Sequence, residues 1–123
     1  MDIEVLKYDL TVCKVRETDD IDLKNGFCFV GVTGEEISLV CETEKTPADT
    51  IKREDGWKGL KIIGELDFSL VGILSGIASI LADNGISIFA VSTFNTDYIL
   101  IKKNNLAAAL KALENGGCNI IKE

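Results

Sequence analysis

Hydrophobic positions along this chain follow two periods. Residues 3–15 (IEVLKYDLTVCKV) are dense in β-branched and aliphatic side chains and predict a strand. The charged run RETDDIDLKNG follows, ends in Asn25-Gly26, and predicts a loop or a single helical turn. FCFVGV and ISLVCE are two strand-like runs parted by Thr33-Gly34-Glu35-Glu36, the pattern of a hairpin with a glycine in its turn. Residues 42–56 hold the only proline and many charges, and they read as a linker.

From Trp57 the pattern becomes more regular. WKGLKIIG predicts a strand. Apolar residues at Leu70, Ile73, Leu74, Ile77 and Leu81 then fall on one helical face. Asp67 or Ser69 suits the start of that helix, and Gly85 after Asn84 suits a left-handed stop. ISIFAVS and YILIK predict a second hairpin. Asn104 or Asn105 would cap a second helix with Leu106, Ala109, Leu110 and Leu113 on one face, closed by Gly116-Gly117, and CNII is a last strand. The order β-α-β-β-α-β predicts an α+β unit: an antiparallel sheet with both helices on one face.

Two features reach beyond a lone unit. YILI and ISIFAV are apolar on both alternating faces, whereas a half-solvated sheet alternates. Something therefore covers the second face or extends the edge, and the first half or a second copy is the candidate. The segments FVGVTGEEISLVC and FAVSTFNTDYILI also match in outline, each with a threonine at the turn and an acidic residue at its exit, Glu36 and Asp97. That points to a duplication with a shortened first copy. The expected division is residues 1–50 and residues 57–123.

Composition narrows the chemistry. The chain has 123 residues, 46% of them hydrophobic, which is ample for a packed core. Its net charge of −7 argues against nucleic acid and anionic membranes as partners. There is no histidine, so the commonest general base and metal ligand are missing. Cys13, Cys28, Cys41 and Cys118 form no C-x-x-C pair; no metal site is expected, and reduced, buried thiols fit a cytoplasmic home. MDIEVLKYDL lacks the basic and apolar regions of a signal peptide, and LVGILSGIASILA is too short to span a bilayer. No phosphate-binding loop, dinucleotide fingerprint or nucleophile elbow occurs, so no catalysis and no cofactor are expected.

Three places invite a ligand. The loop Gly64-Glu65-Leu66-Asp67-Phe68-Ser69 leads into a helix whose first N–H groups are free to hold a carboxylate, unless Asp67 and Ser69 simply cap it. Gly72 and Gly76 lie one turn apart, and either a ligand or another backbone explains their cost of ~1 kcal/mol each. The turn Ser92-Thr93-Phe94-Asn95-Thr96-Asp97 offers hydroxyls, a ring and a carboxylate. Asp97 either meets a cationic group or closes the turn on its own backbone.

With Leu66-Asp67-Phe68-Ser69-Leu70 before a helix bearing Gly72, then Gly85-Ile86-Ser87-Ile88, then Ser92-Thr93-Phe94 with Asp97 and Tyr98, residues 57–115 resemble the ACT-domain family. The likeness is to small tandem-ACT proteins related to the ACT regions of aspartate kinases and to the CASTOR arginine sensors. It implies a ferredoxin-like unit packed with an abbreviated first one. It implies a non-catalytic regulatory module, while the homodimer is expected from the apolar-sheet argument above. The implied ligand is an amino acid or related small molecule between ACT units. The residues carried over are Asp67, Phe68, Ser69, Leu70, Val71 and Gly72 at the helix end, with Thr93, Phe94 and Asp97 at the turn. The competing reading is an interaction or oligomerisation module without a small ligand.

Overall fold

A computed structural model of the chain describes residues 1–24, 26–63 and 72–122. Seven strands and two helices occur among them: β1 (Asp2–Val15), β2 (Cys28–Val32), β3 (Ile37–Glu42), β4 (Lys52–Ile62), α1 (Ile73–Asp83), β5 (Phe89–Ser92), β6 (Asp97–Lys102), α2 (Leu106–Asn115) and β7 (Asn119–Lys122). The fold is mixed α+β with a mainly antiparallel sheet and two helices, as the hydrophobic periods predict. The chain divides into two compact units. The larger comprises Met1–Lys7 with Lys58–Glu123, and the smaller comprises Tyr8–Trp57.

The larger unit holds the β-α-β-β-α-β run. Its strand order is β7-β1-β4-β6-β5. The first residues of β1 lie beside β7, paired in parallel from Asp2↔Asn119 to Val5↔Lys122. On the other side of β1, the Ile63 N–H donates to the Asp2 carbonyl at 2.9 Å. The N-terminal segment thus belongs with the second half of the chain, although the sequence groups it with the first. Both helices cover one face: Ile77 and Leu81 of α1 and Ala109 and Leu113 of α2 share a core with Ile3, Leu60, Ile62, Ile99 and Ile101. Strand alternation puts Leu100 on the opposite face, yet it is also fully buried within the single chain.

The smaller unit has the order β2-β3-β1-β4 and no α-helix among its described residues. Its core is small: Cys13, Val15, Leu39 and Cys41, flanked by Ile21, Cys28, Val30 and Ile37. The expected linker is corrected here, because β4 begins at Lys52 within it. Charge density misleads at Lys52-Arg53-Glu54-Asp55, since these side chains are exposed while the backbone joins the sheet. Asp55 anchors the strand: its carboxylate accepts from the buried Thr11 hydroxyl at 2.7 Å and from Arg53 at 3.1 Å. Thr11 is in turn 3.0 Å from the Thr43 hydroxyl.

The duplication inferred from sequence has a backbone counterpart. Phe29↔Val40 and Val32↔Ile37 in the first hairpin match Phe89↔Leu100 and Ser92↔Asp97 in the second, each residue displaced by sixty positions. β3 and β6 have the same succession of half-buried and buried residues. Each is followed by one 3-10 turn, Thr43–Lys45 and Lys103–Asn105. The correspondence also corrects the pairing of acidic residues: Glu36 matches Thr96, and Asp97 matches Ile37.

Among the described residues helix α1 runs from Ile73, with Gly72 before it at φ +84°, and the expected start at Leu70 lies outside them. A left-handed residue cannot continue a helix, and glycine adopts that conformation without steric cost. Gly85, at φ +71°, follows the other end as expected. Gly76 differs, because a side chain there would meet nothing within 4 Å. No close approach among the described residues explains it. We therefore expect Gly76→Ala to raise stability by about 0.5–1 kcal/mol and Gly72→Ala to lower it by about 1–2 kcal/mol, as read by urea denaturation.

Candidate functional site

The turn between β5 and β6 is built by threonine. The Thr93 N–H donates to the Thr96 carbonyl at 2.8 Å, and the Thr93 hydroxyl lies 3.0 Å from the same oxygen. The Thr96 N–H returns a bond to the Thr93 hydroxyl at 3.3 Å. Asp97 is therefore not consumed in closing the turn. One carboxylate oxygen instead accepts from the Ser92 hydroxyl at 2.6 Å, across the last pair of the two strands.

The first hairpin closes in the same way. The Thr33 N–H donates to the Glu36 carbonyl at 3.0 Å, and the Glu36 N–H donates to the Thr33 hydroxyl at 3.2 Å. Its flanking pair, however, is Val32 and Ile37. The turn geometry thus demands the threonine and not the serine–aspartate pair. At equivalent backbone positions one repeat carries two aliphatic residues and the other a hydroxyl and a carboxylate. Phe94, next in the turn, is 80% exposed.

Thr96 fixes where this turn sits. It is only 6% exposed, and its hydroxyl donates to the Ile62 carbonyl at 2.6 Å. Ile62 ends β4, so the turn is tied to the end of that strand. Removing that hydroxyl leaves a buried carbonyl short of a donor. Thr96→Val should cost about 1–3 kcal/mol, measurable as a lower midpoint in thermal or urea denaturation.

At the head of α1 the cap residue is Gly72, which has no side chain to cap with, and the first closed turn is Gly76 N–H to the Gly72 carbonyl at 2.8 Å. The N–H groups of Ile73, Leu74 and Ser75 precede it and have no partner within the helix ladder. The first N–H groups of α1 among the described residues are therefore those from Ile73, and the expected helix start at Leu70 lies outside them. Of the residues singled out from sequence, Thr93, Phe94 and Asp97 share one hairpin, and Gly72 heads α1. Asp67, Phe68, Ser69, Leu70 and Val71 lie outside the described residues. Sequence reasoning passed over the pairing of Ser92 with Asp97 and the anchoring by Thr96. The signal for the first was present: the two flank a four-residue turn and so face each other across the ladder.

Other chemistry is quiet. Burial pushes the Cys13 thiol up to about 11, with neighbouring Cys41 adding to the rise, and burial likewise raises Cys41. Both remain protonated near neutral pH and are poor nucleophiles. Among the described residues no group of three or more Cys, Asp or Glu is placed to hold a metal. No described helix is long and apolar enough to cross a membrane.

Residues 52–115 match the family model of the ACT domain. The chain belongs to the ACT-domain family. The human cytosolic arginine sensor for mTORC1, subunit 1, is 32% identical to it over 85 residues, covering 63% of this chain and 26% of the sensor. The ACT protein thus spans only about a quarter of that curated relative. A crystal structure of an Agrobacterium tumefaciens protein matches it with a TM-score of 0.88 and 29% identity, covering 99% of this chain and 92% of the other. The regulatory subunit of aspartate kinase from Thermus thermophilus shares the fold, with a TM-score of 0.62 and 11% identity over 92% of this chain and 95% of that one.

Proposed function

We propose that this ACT protein is a non-catalytic, cytoplasmic regulatory module that binds a small amino acid or a similar metabolite. The ligand carboxylate would be held by the N–H groups that open α1, where the helix dipole favours negative charge. Its ammonium would meet Asp97, oriented by Ser92, in a charge-assisted hydrogen bond. Thr93 and Phe94 would border the ligand from the turn. Residues 67–71, which lie outside the described residues, are carried into the proposal from the sequence resemblance alone. One observation carries this reading: the Ser92–Asp97 pair stands where the other copy of the same hairpin has Val32 and Ile37. The fold does not need that polarity, and a zwitterionic ligand does.

The site would be finished by a second ACT unit, supplied by a second copy of the chain. β5 ends its strand order among the described residues, and a sheet edge is a ready contact for such a partner. A cofactor has no role in this scheme. Under the duplication, residues 1–50 would be the abbreviated ACT-like unit and residues 57–123 the complete one. The test is calorimetry of the purified protein against each common L-amino acid. Saturable heat for one or a few of them supports the reading, and none for any of them rejects it.

One observation favours a second reading, an interaction module. Phe94 and Val32 are 80% and 65% exposed at the two hairpin ends. Exposed apolar groups at such points suit contact with another protein. Amino-acid binding that leaves the mass in solution unchanged separates the first reading from the second.

A further inference from the structure

A cleft of about 540 Å³ opens on the larger unit, away from the hairpin turn. Its volume falls in the range of roughly 300–1,000 Å³ typical of small-molecule sites. Val5 of β1 and Leu106, Ala107 and Leu110 of α2 give it apolar walls. Lys7, Lys111 and Lys122 also line it, with Glu114 at one side. The placement follows from the two periods. Ile3 and Val5 on β1 and Ile120 on β7 face the helices, so Lys7 and Lys122, each two residues on, share that face. Ala107, Leu110, Lys111 and Glu114 form a helical stripe distinct from the core stripe of Ala109 and Leu113. Lysine stems often just cover apolar surface. Here, however, three cations from three elements gather on one apolar cleft in a chain of net charge −7. The first turn of α2, through Leu106 and Ala107, borders the same cleft.

We infer that this cleft binds an amphiphilic carboxylate, a small molecule with an acyl or aromatic body and an anionic head. The body lies along Val5, Leu106, Ala107 and Leu110, and the head meets Lys7, Lys111 and Lys122. The inference does not depend on the amino-acid site. It is tested with 8-anilinonaphthalene-1-sulfonate, an aromatic anion whose emission rises in apolar surroundings. The intact protein should bind this probe saturably. Octanoate should displace it, and octylamine, with the same tail and opposite charge, should do so at least tenfold less well. Lys111→Glu and Lys7→Glu should each weaken probe binding at least fivefold, and Ala107→Trp, on the exposed side of α2, should abolish it. Asp97→Asn should leave it unchanged, which keeps this site separate from the other. The inference fails if the wild-type protein binds no probe, if octylamine competes as well as octanoate, or if Ala107→Trp binds the probe within twofold of wild type. It also fails if Ala107→Trp converts a dimer to a monomer, since the cleft would then be occupied by a second copy.

Discussion

Asp97→Asn is expected to weaken amino-acid binding by about ten- to a hundredfold, the equivalent of a lost charge-assisted hydrogen bond of roughly 1.5–3 kcal/mol. Asparagine keeps the size of the side chain and can still accept from Ser92, so the turn should persist. What disappears is the charge that meets an ammonium group. A stricter version transplants the first hairpin's pair into the second, as Ser92→Val with Asp97→Ile. The chain already folds this turn around Val32 and Ile37. The double variant should therefore keep the wild-type circular dichroism spectrum and lose binding altogether. Binding within twofold of wild type in both variants would show that the pair is no ligand contact.

The largest effect on stability is expected from Leu113→Ala. Leu113 lies on the inner face of α2 with no solvent exposure, in the core shared by both helices and the sheet of the larger unit. Truncation removes three buried carbons and leaves a cavity that close-packed neighbours fill only in part. Such changes cost about 2–5 kcal/mol, a large share of the ~5–15 kcal/mol that separates folded from unfolded domains. The melting temperature should fall by roughly 6 °C or more. Leu23→Ala is the control, because Leu23 is largely exposed, and it should stay within about 0.5 kcal/mol of wild type. Comparable losses in both would mean that α2 is not seated on the sheet as described.

Particular residues show how much of this architecture can be read from sequence. The β-α-β-β-α-β order is legible because Ile73, Ile77 and Leu81, and then Ala109 and Leu113, mark helical faces, and because glycines stand at the stops. The first half is harder. Lys52-Arg53-Glu54-Asp55 forms a strand through backbone pairing and the Thr11–Asp55 bond, and neither leaves a hydrophobic alternation. The pairing of Asp2–Val5 with β7 joins opposite ends of the chain, which no local pattern encodes. The boundary of α1 at Ile73 follows from the left-handed conformation of Gly72, which no apolar period encodes.

The candidate site was legible in part. The hydroxyls, ring and carboxylate of the turn stood out as residue types. Their division of labour depended on register, since Thr93 closes the turn and so leaves Asp97 to Ser92. The comparison with Thr33 then separates what the turn requires from what it does not. The cationic cleft has no sequence signature, because Lys7, Lys111 and Lys122 meet only when β1, α2 and β7 are assembled.

The most direct measurement is a titration of the 15N-labelled protein with each common L-amino acid, followed by amide chemical shifts. Saturable shifts should appear together at Gly72 to Ser75 and at Thr93 to Asp97, for one or a few amino acids, and should vanish in the Asp97→Asn protein. Amide shifts that stay unchanged at both places through the whole series would contradict the account, as would saturable shifts confined to other parts of the molecule.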